Sequence, residues 1–384
     1  MTSASYSSAA AEPFEGLRIR GVAKTFGADT TVLNEIDLDV HPGELISLVG
    51  SSGTGKSTLL RIIAGLEEPS AGRVTYAGQP LERGSVGVVF QRPILYPHLS
   101  VKDNILFPTR LGAFAGRVDM DYYRELLEAL KLEGLESRKP SQLSGGQAQR
   151  VGIARALIRR APVVLFDEPL ASVDEQMSAS IRADIVRLHE RYGFTGLYVT
   201  HDQNEALMLG QRVAVMDAGY LVQVDTPERL LAHPHTLQVA KLLAAPALNL
   251  LALEDSESLP AGCELAIRAT ALRPVAADAA HALPVQVLGS RHLVGGMLYR
   301  ARLLEAVSLP LESRRASADS ELSARMCARV RVGQELEFFI SDAQGATLSG
   351  TSPNSTFLSV GERVHLGVAA ERCFLFSGGK RFYL

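Results

Sequence analysis

Gly50-Ser51-Ser52-Gly53-Thr54-Gly55-Lys56-Ser57-Thr58 decides how this 384-residue chain is read. The apolar run 45–49 before it suits a buried strand. Residues 59–65 after it carry apolar side chains at helical spacing and stop on Gly65. Strand, glycine-rich loop and helix together are the setting a phosphate-binding loop requires. Glycines let successive backbone N–H groups converge on a di- or triphosphate, and a helix starting near Lys56 adds unpaired N–H groups and a positive dipole end. Lys56 can reach the β- and γ-phosphates, and the Ser57 hydroxyl can ligate Mg²⁺. A turn that binds nothing is the bland alternative, but the full GxxxxGK[ST] spacing in this setting speaks against it. The chain is expected to bind a nucleoside triphosphate.

The length accommodates two domains, and an apolar share of 46% is enough to fill their cores. A net charge of −3, with no aromatic-rich basic stretch, argues against a nucleic-acid partner. Cys263, Cys327 and Cys373 are widely spaced and odd in number, which disfavours a disulfide framework or zinc site and fits a reducing cytoplasm. Residues 1–14 read as a loose Ser/Ala-rich tail rather than a signal peptide. No apolar stretch reaches the roughly 18 residues of a membrane span, so any membrane role must come through a partner.

Along the chain, 17–20 and 36–40 alternate like strands. Phe26 is either ordinary core or an aromatic face for a base. Gln91, after the strand-like run 86–90, is either ligand-facing or a loop cap. Residues 119–136 read as a helix. Ser144-Gly145-Gly146-Gln147 opens another, where Ser144 is a natural N-cap but also heads a second anion-binding helix end. One nucleotide does not need two such sites, which hints that Ser144 serves a phosphate held by another copy. The apolar run 163–166 delivers Asp167 and Glu168 to a strand end, where Mg²⁺ and phosphate lie in parallel sheets. Asp167 suits holding the metal and Glu168 suits accepting a proton from water. Asp174 precedes a helix over 175–191. The buried run 196–200 delivers His201, either structural or a γ-phosphate contact. A hairpin over 212–224 and a helical stretch over 227–244, broken by Pro234, complete an α/β domain with a largely parallel sheet. After Pro246 short β-like runs (264–268, 283–288, 297–304, 329–332, 336–340 and 364–368) point to a small all-β domain or barrel, with 312–328 as a solvated loop or short helix.

Together these motifs resemble the ATP-binding subunits of ABC transporters over about residues 17–240. Phe26 matches the adenine-stacking position, residues 50–58 the Walker A loop, Gln91 the Q-loop glutamine, and residues 144–147 the signature. Residues 163–168 match Walker B with its catalytic glutamate, Asp174 the D-loop aspartate, and His201 the switch histidine. Ala171-Ser172-Val173 departs from the family's common Ser-Ala-Leu. The C-terminal half is similar to the TOBE-like β-barrel of importer ATPases for sugars, polyamines, ferric ion and oxyanions, although Ala266-Ile267-Arg268-Ala269-Thr270 lacks the usual Arg-Pro-Glu.

The resemblance implies a P-loop NTPase fold: an ABC ATPase domain over 15–240, with a helical subdomain over about 92–160, and a β-barrel regulatory domain over 241–384. It implies ATP and Mg²⁺, the metal being organised by Ser57, Gln91 and Asp167. Glu168, His201 and Gln91 carry catalysis, while Phe26, residues 50–58, residues 144–147 and Asp174 bind nucleotide. It further implies a head-to-tail homodimer, peripheral on the cytoplasmic face of the membrane. Its partners would be an integral-membrane permease and, indirectly, a solute-binding protein, and the solute a carbohydrate or else a polyamine, ferric ion or oxyanion. A soluble ABC ATPase acting on DNA or ribosomes is the rival, but one cassette without coiled-coil insertions speaks against it. A regulatory module with vestigial turnover is a second rival, opposed by the full set of hydrolytic residues.

Overall fold

The computed structural model describes residues 14–27, 29–110, 118–244, 247–253, 262–279, 282–293, 296–311, 326–341, 358–368 and 372–381. The chain divides into two compact units, Met1–Pro227 and Glu228–Leu384. Residues 1–13 of the expected tail lie outside the described residues. Phe14 packs its ring against His41 and Arg18.

In the first unit the elements run β1 (Leu17–Phe26), β2 (Thr30–Val40), β3 (Leu45–Val49), α1 (Lys56–Ile63), β4 (Ala71–Tyr76), β5 (Gln79–Pro80) and β6 (Gly87–Val89). Then come α2 (Val101–Leu106), α3 (Met120–Ala129), α4 (Gly145–Leu157), β7 (Val163–Asp167), α5 (Glu175–Tyr192), β8 (Thr195–Thr200), α6 (Gln203–Leu209), β9 (Arg212–Asp217) and β10 (Tyr220–Asp225). One sheet is antiparallel, ordered β2-β1-β4-β5; the other has six strands ordered β10-β9-β3-β8-β7-β6. Within the second sheet β9, β3, β8, β7 and β6 are mutually parallel, and only β10 runs back, through Ala218 and Gly219. Both turn residues have positive φ (46° and 83°), as a tight hairpin with the right twist demands.

The apolar runs of the parallel strands serve two cores at once. In β7, Val163 and Leu165 pack with α1 and the antiparallel sheet, whereas Val164 and Phe166 pack with α2 to α5. That is the two-residue period of a strand covered on both faces. Pairing of Val49 with Thr200, Asp167 with Val199 and Val89 with Phe166 brings the C-terminal ends of β3, β8, β7 and β6 to one edge. The motifs after those strands are thereby gathered without any one being near another in sequence.

The helix expected over 119–136 is shorter. It ends at Ala129, because Lys131 and Gly134 adopt positive φ and turn the chain, although Leu132 still enters the core. At the opposite edge of the sheet Arg212 grips Glu44, with Nε 2.7 Å from Oε1 and Nη2 2.9 Å from Oε2, and also donates to the Asp39 carbonyl. This clasp joins the starts of β3 and β9.

The second unit contains all but the first residue of α7 (Pro227–Ala232), then α8 (Leu237–Leu242), β11 (Leu248–Ala252), β12 (Glu264–Arg268), β13 (Arg273–Val275), β14 (Leu283–Leu293) and β15 (Gly296–Leu303). It continues through β16 (Val307–Leu311), β17 (Met326–Val330), β18 (Glu335–Ser341), β19 (Arg363–Gly367), β20 (Cys373–Ser377) and β21 (Lys380–Arg381). Among the described residues these form sheets β11-β12-β20-β21 and β13-β19-β14-β15-β18 and the hairpin β16-β17, all antiparallel. Leu237 and Ala240 of α8 pack with Ala266, Phe374 and Phe376, and Arg268 and Arg381 donate to the α7 carbonyls of Leu231 and Ala232, which is why the helical pair belongs to this unit. Of the loop expected over 312–328, residues 312–325 lie outside the described residues and 326–328 belong to a strand. A non-local partner, β16, supplies the pairing that the local composition did not suggest. Cys263 is a buried free thiol. Among the described residues no helix is long and apolar enough to cross a membrane.

Burial alone would raise the pKa of Glu44, but the Arg212 hydrogen bonds and the His41 amide outweigh it and hold the carboxyl below its ordinary value. A depressed folded-state value means that the stabilisation is present above the ordinary carboxylate range and is lost as pH falls through the folded value. Arg212→Leu should therefore cost about 3 kcal/mol in urea unfolding at neutral pH, and the gap from the wild type should narrow on acidification. An equal gap in acid would disprove the clasp.

Candidate active site

The loop between β3 and α1 is shaped by backbone constraints. Gly53 and Gly55 hold φ of 82° and 99°. A Cβ on Gly55 would stand 2.7 Å from Leu33 Cδ2 and 2.8 Å from the Val32 carbonyl, so both the conformation and the space require glycine. A Cβ on Gly50 would meet the Met216 carbonyl at 2.3 Å. Thr54 ties the loop internally, its hydroxyl donating to the Ser51 carbonyl at 3.0 Å. Gly55 is the N-cap of α1 and offers no side-chain cap, so the first-turn amides stay available to an anion. Ser51, Ser52, Gly53 and Ser57 are exposed and Thr58 is half-buried.

Lys56 is 4% exposed, and its ammonium donates to the carbonyls of Gly50 and Ser51, both at 2.8 Å. Burial pulls its pKa down, opposed by the nearby carboxylates of Glu168 and Asp167. Across the edge the Ser57 hydroxyl lies 3.4 Å from Asp167 Oδ1. Burial pushes the Asp167 carboxyl up, and the Glu168 charge adds to this. The pair presents hard oxygen donors beside a phosphate cradle, a donor set that fits Mg²⁺.

Glu168 follows β7 in a left-handed backbone conformation, φ 43°, unusual for a residue with a side chain. Its amide donates to the Val199 carbonyl at 2.9 Å, holding the strained residue to the end of β8. His201 Nδ1 lies 2.9 Å from Glu168 Oε2, where an Nδ1–H donates to the carboxylate. The His201 side chain is 58% exposed, so this bond is what orients the ring.

The remaining expected residues stand apart from this cluster. Gln91 is exposed two residues past β6. Phe26, 43% exposed at the end of β1, has the Lys24 ammonium 4.9 Å from its ring centre. Ser144 caps α4, accepting from the Gln147 amide at 3.3 Å while its own amide donates to Gln147 Oε1 at 3.0 Å. These bonds fall within one helix end and reach nothing in the phosphate loop. Gly145 is exposed and Gly146 buried, where a Cβ would collide with Met177 Sδ. Asp174 caps α5 by accepting from the Met177 amide at 2.9 Å. Sequence reasoning passed over the groups that tie α4 to its surroundings. Gln149 donates to the Phe90 carbonyl at 3.2 Å, and Arg150 lies 2.9 Å from the fully buried Asp184 of α5. A buried glutamine and an i-to-distant ion pair leave no local pattern that could have revealed them.

The sequence profile described as ABC transporter matches residues 33–171, and that of the TOBE domain matches residues 305–376. The sn-glycerol-3-phosphate import ATP-binding protein UgpC 1 of Rhizobium johnstonii is 40% identical over 329 residues, covering 76% of this chain and 89% of that protein. The chain belongs to the ATP-binding subunits of ABC transporters. Within this family of ATPases it falls among the import subunits that carry a TOBE domain. UgpC of Yersinia enterocolitica is 45% identical over 243 residues, covering 62% of this chain and 67% of its own. Among solved structures, cbiO1 of Clostridium perfringens, part of the ABC transporter complex cbiONQ, is similar with a TM-score of 0.52 and 27% identity, over 58% of this chain and 92% of that one.

The strain at Glu168 separates stability from turnover. Glu168→Gly should raise stability by about 1 kcal/mol, since glycine adopts left-handed φ without a Cβ penalty. The same variant should lose ATP hydrolysis. Thermal unfolding and phosphate release read the two effects; a less stable variant would contradict the strain.

Proposed function

We propose that the chain powers solute import as a head-to-tail homodimer docked on an integral-membrane permease, peripheral on the cytoplasmic face and supplied by a solute-binding protein. What carries this reading is that Lys56, Ser57, Asp167, Glu168 and His201 meet at one sheet edge, whereas Ser144, a helix end of the same anion-binding kind, bonds only within its own helix. In this reading Ser144, Gly145, Gly146 and Gln147 of one copy close over the nucleotide held by residues 50–58 of the other, with Asp174 alongside. Phe26 offers its ring to the adenine.

On nucleotide entry Lys56 exchanges its two loop carbonyls for phosphate oxygens, and the α1 amides complete the cradle. Ser57 and Asp167, with Gln91, would hold Mg²⁺, which when bound neutralises charge between the β- and γ-phosphates. Glu168 accepts the proton of the attacking water as the O–P bond forms and the bond to ADP breaks. His201 keeps the Glu168 carboxylate aimed and contacts the γ-phosphate. Closure on ATP and reopening after hydrolysis shift the permease between its two facing states. Residues 92–160 form the subdomain that reaches the permease, and the C-terminal unit is regulatory. The cargo that the relatives' names give, sn-glycerol-3-phosphate, makes a polyol phosphate, within the carbohydrate class, the first solute to test.

Glu168→Gln should bind ATP with Mg²⁺ and accumulate as a dimer, seen by size exclusion with light scattering; normal turnover would remove Glu168 from its role. With Cys263, Cys327 and Cys373 replaced by Ser, Ser144→Cys and Gly53→Cys should crosslink between copies of that variant only when ATP is present. No crosslink under any nucleotide would overturn the head-to-tail arrangement. Lys56→Ala should weaken binding of a fluorescent ATP analogue at least about tenfold; unchanged affinity would contradict the cradle.

A further inference from the structure

His201 is the single residue between the end of β8 at Thr200 and the α6 cap at Asp202, and its exposed ring has no packing of its own to fix it. Its bond to Glu168 orients the ring, but the reach of that bond depends on the backbone on either side. That backbone is locked by one carboxylate. Thr200 Oγ1 donates to Glu205 Oε2 at 2.8 Å, and the Tyr198 hydroxyl donates to the same oxygen at 3.2 Å. The Asp202 amide donates to Thr200 Oγ1 at 3.0 Å, and Asp202 Oδ1 accepts from the amides of Asn204 and Glu205 at 2.7 and 3.0 Å. Arg182 of α5 faces the other carboxylate oxygen at 3.9 Å. Glu205, Thr200 and Tyr198 are all buried. The Tyr198 ring in turn leans on Phe166, 5.7 Å between centres, just ahead of Asp167 and Glu168.

We propose that Glu205 is a positioning residue for hydrolysis: by clamping the Thr200–Asp202 turn from below, it sets the His201 ring against Glu168. The inference rests on the proposed pairing of His201 with Glu168. Two hydroxyl donors converge on one oxygen while a guanidinium faces the other across an ion-pair distance of 3.9 Å, so the site favours an acceptor that is also negatively charged. A glutamine supplies the acceptor but not the charge, and either orientation has a cost. With its oxygen toward the hydroxyls its NH₂ opposes Arg182, and flipped it confronts the hydroxyls with a donor. The turn then loses its lock while β8 and α6 keep their backbone bonds. A merely structural Glu205 would stabilise the strand–helix junction and affect every function alike; a positioning Glu205 acts only through His201.

The test is a double-mutant cycle on the full chain, read as phosphate release, ATP affinity and thermal unfolding. Glu205→Gln should lower kcat about tenfold or more with the affinity for a fluorescent ATP analogue unchanged within about twofold. In the His201→Ala background the same substitution should cost nothing further. Thr200→Ser, which keeps the hydroxyl, should turn over like the wild type, whereas Thr200→Val should match Glu205→Gln and stands in for it should that variant not fold. Normal turnover in both Glu205→Gln and Thr200→Val, or an equal further loss when either is added to His201→Ala, would overturn the proposal. Normal turnover in His201→Ala itself would remove both the proposal and the role given to His201. By contrast, a cycle that is additive while His201→Ala is impaired removes the role of Glu205 alone.

Discussion

A buried ammonium with nothing but backbone carbonyls to satisfy it is the constraint around which the ATPase unit is arranged. Lys56 can sit below its loop only because Gly50 and Ser51 turn their oxygens toward it, and they can do so only because Gly53 and Gly55 take left-handed backbone angles. Two carboxylates across the sheet edge oppose the pull of burial on the cation. The loop is thus kept in shape before any phosphate arrives, which lowers the ordering cost of binding. The parallel sheet serves this arrangement, since it is what delivers Asp167, Glu168 and His201 to the same edge.

The phosphate loop, the strand-borne carboxylates and the histidine were legible in the sequence because each follows a short apolar run whose end is marked by a change of residue type. The parallel sheet followed from the same runs. The left-handed angle at Glu168 was not legible, because nothing in Asp167-Glu168-Pro169 marks the peptide before the proline as strained. The clasp between Glu44 and Arg212 and the contacts of Gln149 and Asp184 were hidden for another reason: their partners lie far away in sequence and become neighbours only once the sheet has formed. β16 and β17 were hidden by composition instead, since the charged, Ser-rich stretch between and into them does not mark two paired strands.

Ser144 illustrates how a capping residue can carry a second reading. Its hydroxyl and the Gln147 side chain complete a reciprocal cap, a sufficient account of both residues within one chain. Gly146 has its own steric reason in Met177. Only exposed Gly145 and the free face of the helix end remain for a neighbour, so the interface between copies, as we propose it, is built largely from groups that already stabilise the monomer.

The alternation along β7 has one more consequence. Val163 and Leu165 belong to one core and Val164 and Phe166 to the other, so sliding this strand by a single position would hand each core the other's side chains and turn Asp167 toward the wrong layer. Misthreaded chains would therefore be poorly packed and catalytically silent together. Quality control by the cell's proteases, which recognise loose packing, would in effect also screen for competent sites.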